Sequence, residues 1–69
     1  MSANYAKLRG KIREVYGRQA DFAAALNIDR STLSMKLSGK SDWTREEIEN
    51  SCIVLGIPFS DAHSYFFAV

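Results

Sequence analysis

Apolar side chains recur at Tyr5, Leu8, Ile12 and Val15, a spacing that keeps them on one side of a helix running from Asn4 to Tyr16. Lys7, Arg9, Lys11 and Arg13 flank that stripe, and Gly17 is a natural stop. Gly10 in mid-helix costs about 1 kcal/mol relative to Ala, so a close helix contact is expected there. Phe22, Ala23 and Leu26 then mark a short second helix, and Asn27 tolerates the left-handed conformation that ends it. Ile28 plugs the turn, and Asp29 is placed to cap a third helix. That helix turns Leu33 and Leu37 inward, leaves Arg30, Ser31, Ser34, Met35 and Ser38 outside, and ends at Gly39.

Beyond a polar loop from Lys40 to Trp43, Thr44 and Glu47 stand three apart, the spacing of a capping box. Ile48, Cys52 and Leu55 form the buried edge of the fourth helix, which Gly56 and Pro58 stop. Ser60 or Asp61 opens a last short helix ending in Tyr65-Phe66-Phe67-Ala68-Val69. The pattern predicts an all-α, compact five-helix bundle. It forms a single domain over 1–69 with a helix-turn-helix between Gln19 and Lys40.

Charge changes this picture. The formal net charge is only +1, but residues 1–40 carry eight Lys or Arg against three acids, a local +5. Residues 41–69 carry Arg45 against five acids, a local −4. A chain polarised in this way has a basic end suited to phosphates and an acidic end that points elsewhere. The basic segment coincides with the two-helix unit, which points to double-stranded DNA as the partner.

Several function classes drop out. The lone Cys52 rules out an internal disulfide and a Cys-based zinc site, and it suits a reducing cytoplasm as a buried, inert thiol. No apolar run approaches the ~20 residues that span a bilayer, and the N-terminus has no signal-peptide pattern, so the expected location is cytoplasmic. His63 is the only histidine and has no partner at ligand or triad spacing. Neither an enzyme, a metal site nor a cofactor is expected.

Gln19, Ala23, the Asn27-Ile28 turn, Leu33 and Gly39-Lys40 resemble the signature of the lambdoid phage repressor and Cro helix-turn-helix family. The likeness is nearest to the small Cro-like repressors of temperate phages of Gram-positive bacteria, through Lys36-Leu37-Ser38-Gly39-Lys40, Thr44-Arg45-Glu46-Glu47-Ile48 and Tyr65-Phe66-Phe67. Asn27 stands where that family usually has glycine, and Leu37 where it commonly has a carboxylate. The resemblance implies a sequence-specific transcriptional repressor whose third helix enters the major groove of a palindromic operator. It assigns Arg30, Ser31 and Met35 to base reading, with Arg30 suited to guanine. Met35 also fits a core role. Gln19 takes a phosphate near a helix N-terminus, and Arg18, Thr32, Lys36, Lys40 and Ser41 are further phosphate candidates. Lys36 reads equally as a solvated surface lysine. Trp43 either stacks on the sugar-phosphate backbone or pins its loop to the bundle, the second being favoured.

The tail residues Phe59, Tyr65, Phe66, Phe67 and Val69 offer more aromatic surface than a small core needs, and a homodimer through the last helix is expected. Phe66 and one neighbour are also candidates to close the core. The alternative is a protein-interaction module, such as an antirepressor that engages another regulator through the acidic half and aromatic tail. An antitoxin-type DNA binder is a third reading. Binding to DNA would weaken steeply with salt and lose sequence preference on Arg30→Ala, whereas an interaction module would depend on its tail.

Overall fold

The structure is a computed structural model that describes residues 5–67. Five α-helices and one short 3₁₀ turn follow in order: α1 Ala6–Tyr16, α2 Gln19–Ala25, α3 Arg30–Leu37, α4 Arg45–Leu55, the 3₁₀ turn Phe59–Asp61, and α5 Ala62–Phe66. No strand occurs among the described residues. The chain packs into 27 × 25 × 21 Å. The expected start of the first helix at Asn4 and the expected end of the last at Val69 lie outside the described residues.

One core joins all five helices. Leu8 and Ile12 from α1, Phe22 and Ala23 from α2, and Leu33 and Leu37 from α3 are buried together. Ile48, Cys52 and Leu55 of α4, Ile57, and Ala62 and Phe66 of α5 close the other side. The α1 stripe differs from expectation at its end. Val15 is 43 % exposed, and Tyr16 replaces it on the inner face. Tyr16 lies four residues after Ile12, closer to the 3.6-residue period than Val15 at three. Its ring sits 5.7 Å from that of Phe22, and its hydroxyl donates to the Val54 carbonyl at 3.2 Å.

The helix ends follow their local chemistry. Asn27 takes φ 59 after α2, and the bonds Ile28 N–H to Ala23 O (3.0 Å) and Asn27 N–H to Ala24 O (3.0 Å) close a Schellman motif. The same pair of bonds ends α3 through Lys40 and Gly39, and α4 through Ile57 and Gly56. The Thr44–Glu47 capping box forms in full, at 3.1 Å and 2.9 Å. Asp29 occupies the N-cap of α3 but makes no side-chain cap bond. Tyr5 begins α1 in the left-handed region, φ 52, again without a side-chain cap.

The expected close contact at Gly10 is absent: a Cβ there meets nothing within 4 Å. Gly10 is exposed, so its glycine cost is uncompensated by packing. Gly10→Ala is expected to raise stability by about 1 kcal/mol, read as a higher urea midpoint at unchanged slope.

Candidate interaction surface

The two ends of the molecule carry different chemistry. On the α2–α3 side, Arg30, Ser31, Thr32, Ser34 and Met35 share the exposed face of α3, and Met35 is 47 % exposed rather than completing the core. Arg18 stands exposed at the N-cap of α2, Gln19 is half-buried at its first residue, and Lys40 and Ser41 follow α3. Lys36 does not belong with them. It is only 6 % exposed, and its ammonium lies 2.8 Å from Glu47 Oε1 and donates to the Asp42 carbonyl at 2.8 Å. The same ammonium stands 5.8 Å from the Trp43 ring centroid. A charge held by three groups at the α3–α4 junction is neither a phosphate ligand nor a solvated surface lysine, which corrects both readings of Lys36. Arg9 likewise reaches across to the C-terminus of α3, donating to the Leu37 carbonyl at 3.0 Å.

Glu47 is the hinge of this arrangement. Burial by itself raises a carboxyl pKa, but the Lys36 ammonium and the Thr44 amide and hydroxyl outweigh it and hold Glu47 below its ordinary 4.5. The loop between α3 and α4 is therefore tied at both ends, and Trp43 is pressed inward. Its ring meets Phe66 edge-on at 4.9 Å and Tyr5 at 6.4 Å. Trp43 pins the loop to the bundle. Its Nε1 is buried without a hydrogen-bond partner among the described residues.

On the α4–α5 side, three large apolar side chains are presented outward. Ile53 is 76 % exposed, Phe59 56 % and Phe67 56 %. A depression of about 460 Å³ lies between Trp43, Ile48, Phe59, His63 and Phe67. His63 and Phe67 stack with their ring centroids 5.7 Å apart. A second depression of about 370 Å³ continues past Phe59 to Ile53 and Ile57, edged by Glu49 and Asn50. The expected tail interface divides. Phe66 is buried in the core at 3 % exposure and cannot meet a partner, because it seals α5 against Trp43. Tyr65 is half-buried with Lys7 4.7 Å above its ring, Phe59 and Phe67 are exposed, and Val69 lies outside the described residues. Ile53 escaped notice in the sequence. The signal was its position off the Ile48–Cys52–Leu55 stripe, which makes an isoleucine in a soluble-facing register conspicuous.

Cys52 is buried, and burial pushes its thiol pKa up, so it is an unreactive core residue. No group of three or more metal-capable side chains occurs among the described residues, and none of their helices is long and apolar enough to cross a membrane.

A family model described as a protein of unknown function, DUF739, matches residues 1–69. The chain belongs to this family. It is similar to the solution structure of the modulator of repression (MOR) of the temperate bacteriophage TP901-1 from Lactococcus lactis. The two are 40 % identical with a TM-score of 0.85, over 97 % of this chain and 90 % of that one. No curated protein sequence matches the chain.

These findings overturn the assignment to the phage repressor and Cro family, and with it the expectation of a sequence-specific DNA-binding repressor. The residues that carried the resemblance explain the error. Ala23, the Asn27-Ile28 turn and Leu33 are helix-packing and turn positions, so they report a shared two-helix geometry and not a shared ligand. The roles given to Arg30, Ser31 and Met35 as base readers, and to Arg18, Gln19, Thr32, Lys40 and Ser41 on phosphates, rested on that resemblance alone. Leu37 was the discordant residue. It is 1 % exposed, a core position where a carboxylate would be stranded.

Removing the Lys36 ammonium leaves Glu47 and the Asp42 carbonyl without their shared donor. Lys36→Ala is therefore expected to lower stability by about 2–3 kcal/mol, measured by urea unfolding. A carboxylate with a depressed folded pKa stabilises fully above its unfolded value, and that contribution is lost as pH falls through the folded one. Stability is thus expected to drop on acidification below about pH 4.5, and Glu47→Gln to reduce that dependence in pH-resolved thermal melts.

Proposed function

We propose that this chain is a phage regulatory protein that acts by binding another protein, a transcriptional repressor, through the face formed by α4, the 3₁₀ turn and α5. The observation that carries the reading is the 40 % identity, across nearly the whole chain, to a protein named a modulator of repression. The surface chemistry supports it. The exposed apolar residues of this face (Ile53, Phe59 and Phe67) lie in the half of the chain with a local charge of −4, a character suited to protein contact and opposed to phosphate. Large aromatic and aliphatic anchors of this kind dominate protein–protein binding energy when they enter a partner's surface. The reading places the chain in the cytoplasm, needs no cofactor and assigns no catalysis to His63. It also gives the exposed tail aromatics to a repressor in place of a second copy of this chain.

The test is complex formation with a phage transcriptional repressor. Co-elution on size exclusion and a calorimetric binding isotherm are expected, with Phe59→Ala and Phe67→Ala each weakening binding by about 1–2 kcal/mol or more. Arg30→Ala, on the exposed face of α3, is expected to leave it unchanged. Absence of any complex, or a complex lost on Arg30→Ala yet indifferent to both phenylalanines, defeats the proposal.

A further inference from the structure

The two depressions on the α4–α5 side are not independent hollows. Phe59 lines both, and the α4 residues that line them are Arg45, Ile48, Glu49, Asn50, Cys52 and Ile53. All but Asn50 are spaced i, i+3, i+4, i+7 and i+8, one face of α4, and Asn50 stands at its edge. The depressions meet at Phe59 and together follow α4 from Arg45 to Ile53, against the segment from Ile57 to Phe67. From Arg45 to Ile53 the helix rises about 12 Å, room for roughly two turns of another helix.

The rim carries the second half of the argument. Arg45 is held by Glu49 at 3.4 Å, so the groove's cation is offset within the face. Glu46 lies one helical turn before Glu49 and two before Ile53 on α4, and Asp61 sits in the 3₁₀ turn between Ser60 and Ala62, which line the first depression. Glu46 and Asp61 are exposed. The groove thus has an apolar floor and an acidic edge. A second copy would bring the same acidic edge to the contact, so two such faces repel through their like net charge. An occupant with the opposite edge chemistry is favoured.

Resting on the protein-binding reading above, we propose that this groove receives an amphipathic helix of the partner. Its apolar side chains, at i, i+3, i+4 and i+7, lie on Ile53, Phe59 and Phe67, and its flanking Lys or Arg residues face the acidic excess left by Glu46 and Asp61 beside the Arg45–Glu49 pair. The mode is a helix laid into a groove, in which apolar anchors supply affinity and the charged rim sets orientation.

The experiment is a titration of the full isotopically labelled chain with synthetic peptides. One is an amphipathic helix of leucine and lysine with that apolar spacing, one is its scrambled isomer, and one has glutamate for every lysine. The first peptide is expected to bind, to shift the amides of α4 and of residues 59–67, and to weaken as salt rises. Ile53→Asp changes an exposed residue and is expected to preserve the fold by circular dichroism while weakening the peptide about tenfold. Glu46→Lys combined with Glu49→Lys is expected to weaken it further and to admit the glutamate peptide. Equal binding of the scrambled or glutamate peptide by the unaltered chain, or shifts centred on α2 and α3, overturns the groove assignment. If the repressor binds but ignores Ile53→Asp, the groove fails while the protein-binding reading stands. If the amphipathic peptide binds but no repressor does, the groove stands and that reading fails.

Discussion

The Lys36 ammonium, enclosed between the Glu47 carboxylate, the Asp42 carbonyl and the face of Trp43, is the contact on which the remaining architecture turns. It spans the junction between α3 and α4, where the backbone makes no regular structure of its own. Because Glu47 also accepts the Thr44 amide, one carboxylate both starts α4 and ties it to the end of α3. Trp43 is thereby fixed over Phe66, and α5 closes against the bundle. An ion pair exposed to water contributes little; this one is shielded on its cationic side, so losing either partner leaves a polar group stranded.

That tie also determines what the surface offers. With Phe66 drawn inward, Phe59 and Phe67 remain outside on either side of α5, and Ile53 faces the same solvent from α4. The acidic half of the chain then presents a groove with an apolar floor, while the basic residues of the first half lie on other faces or are engaged. Lys11 pairs with Glu14, Lys7 stacks on Tyr65, and Arg9 caps α3. A charge tally along the chain counts these cations as available for phosphate. The folded molecule has already committed several of them.

A helix-turn-helix outline was visible in the residues because its determinants are local: Asn27 in a left-handed turn, Leu33 and Leu37 four apart, glycines after α3 and α4. Five helices and the capping box were legible for the same reason. The step from outline to DNA did not follow, since the positions that build a two-helix unit are not those that choose its ligand. Tail aromatics were legible as a group but not as individuals, because which of Tyr65, Phe66 and Phe67 turns inward depends on the angle at which α5 meets Trp43.

The sequence by itself determined where the helices begin and end and which edge of each is apolar, because caps, turns and a 3.6-residue period act over a few neighbouring positions. Only the tertiary structure decided that Lys36 is buried, that Tyr16 and not Val15 faces the core, and that Phe59 stands between the depressions lined by Ile53 and by Phe67. Those outcomes depend on contacts between residues distant in the chain, such as Tyr16 with Val54 and Lys36 with Glu47. Burial is settled by how whole helices pack, and no local pattern carries that information.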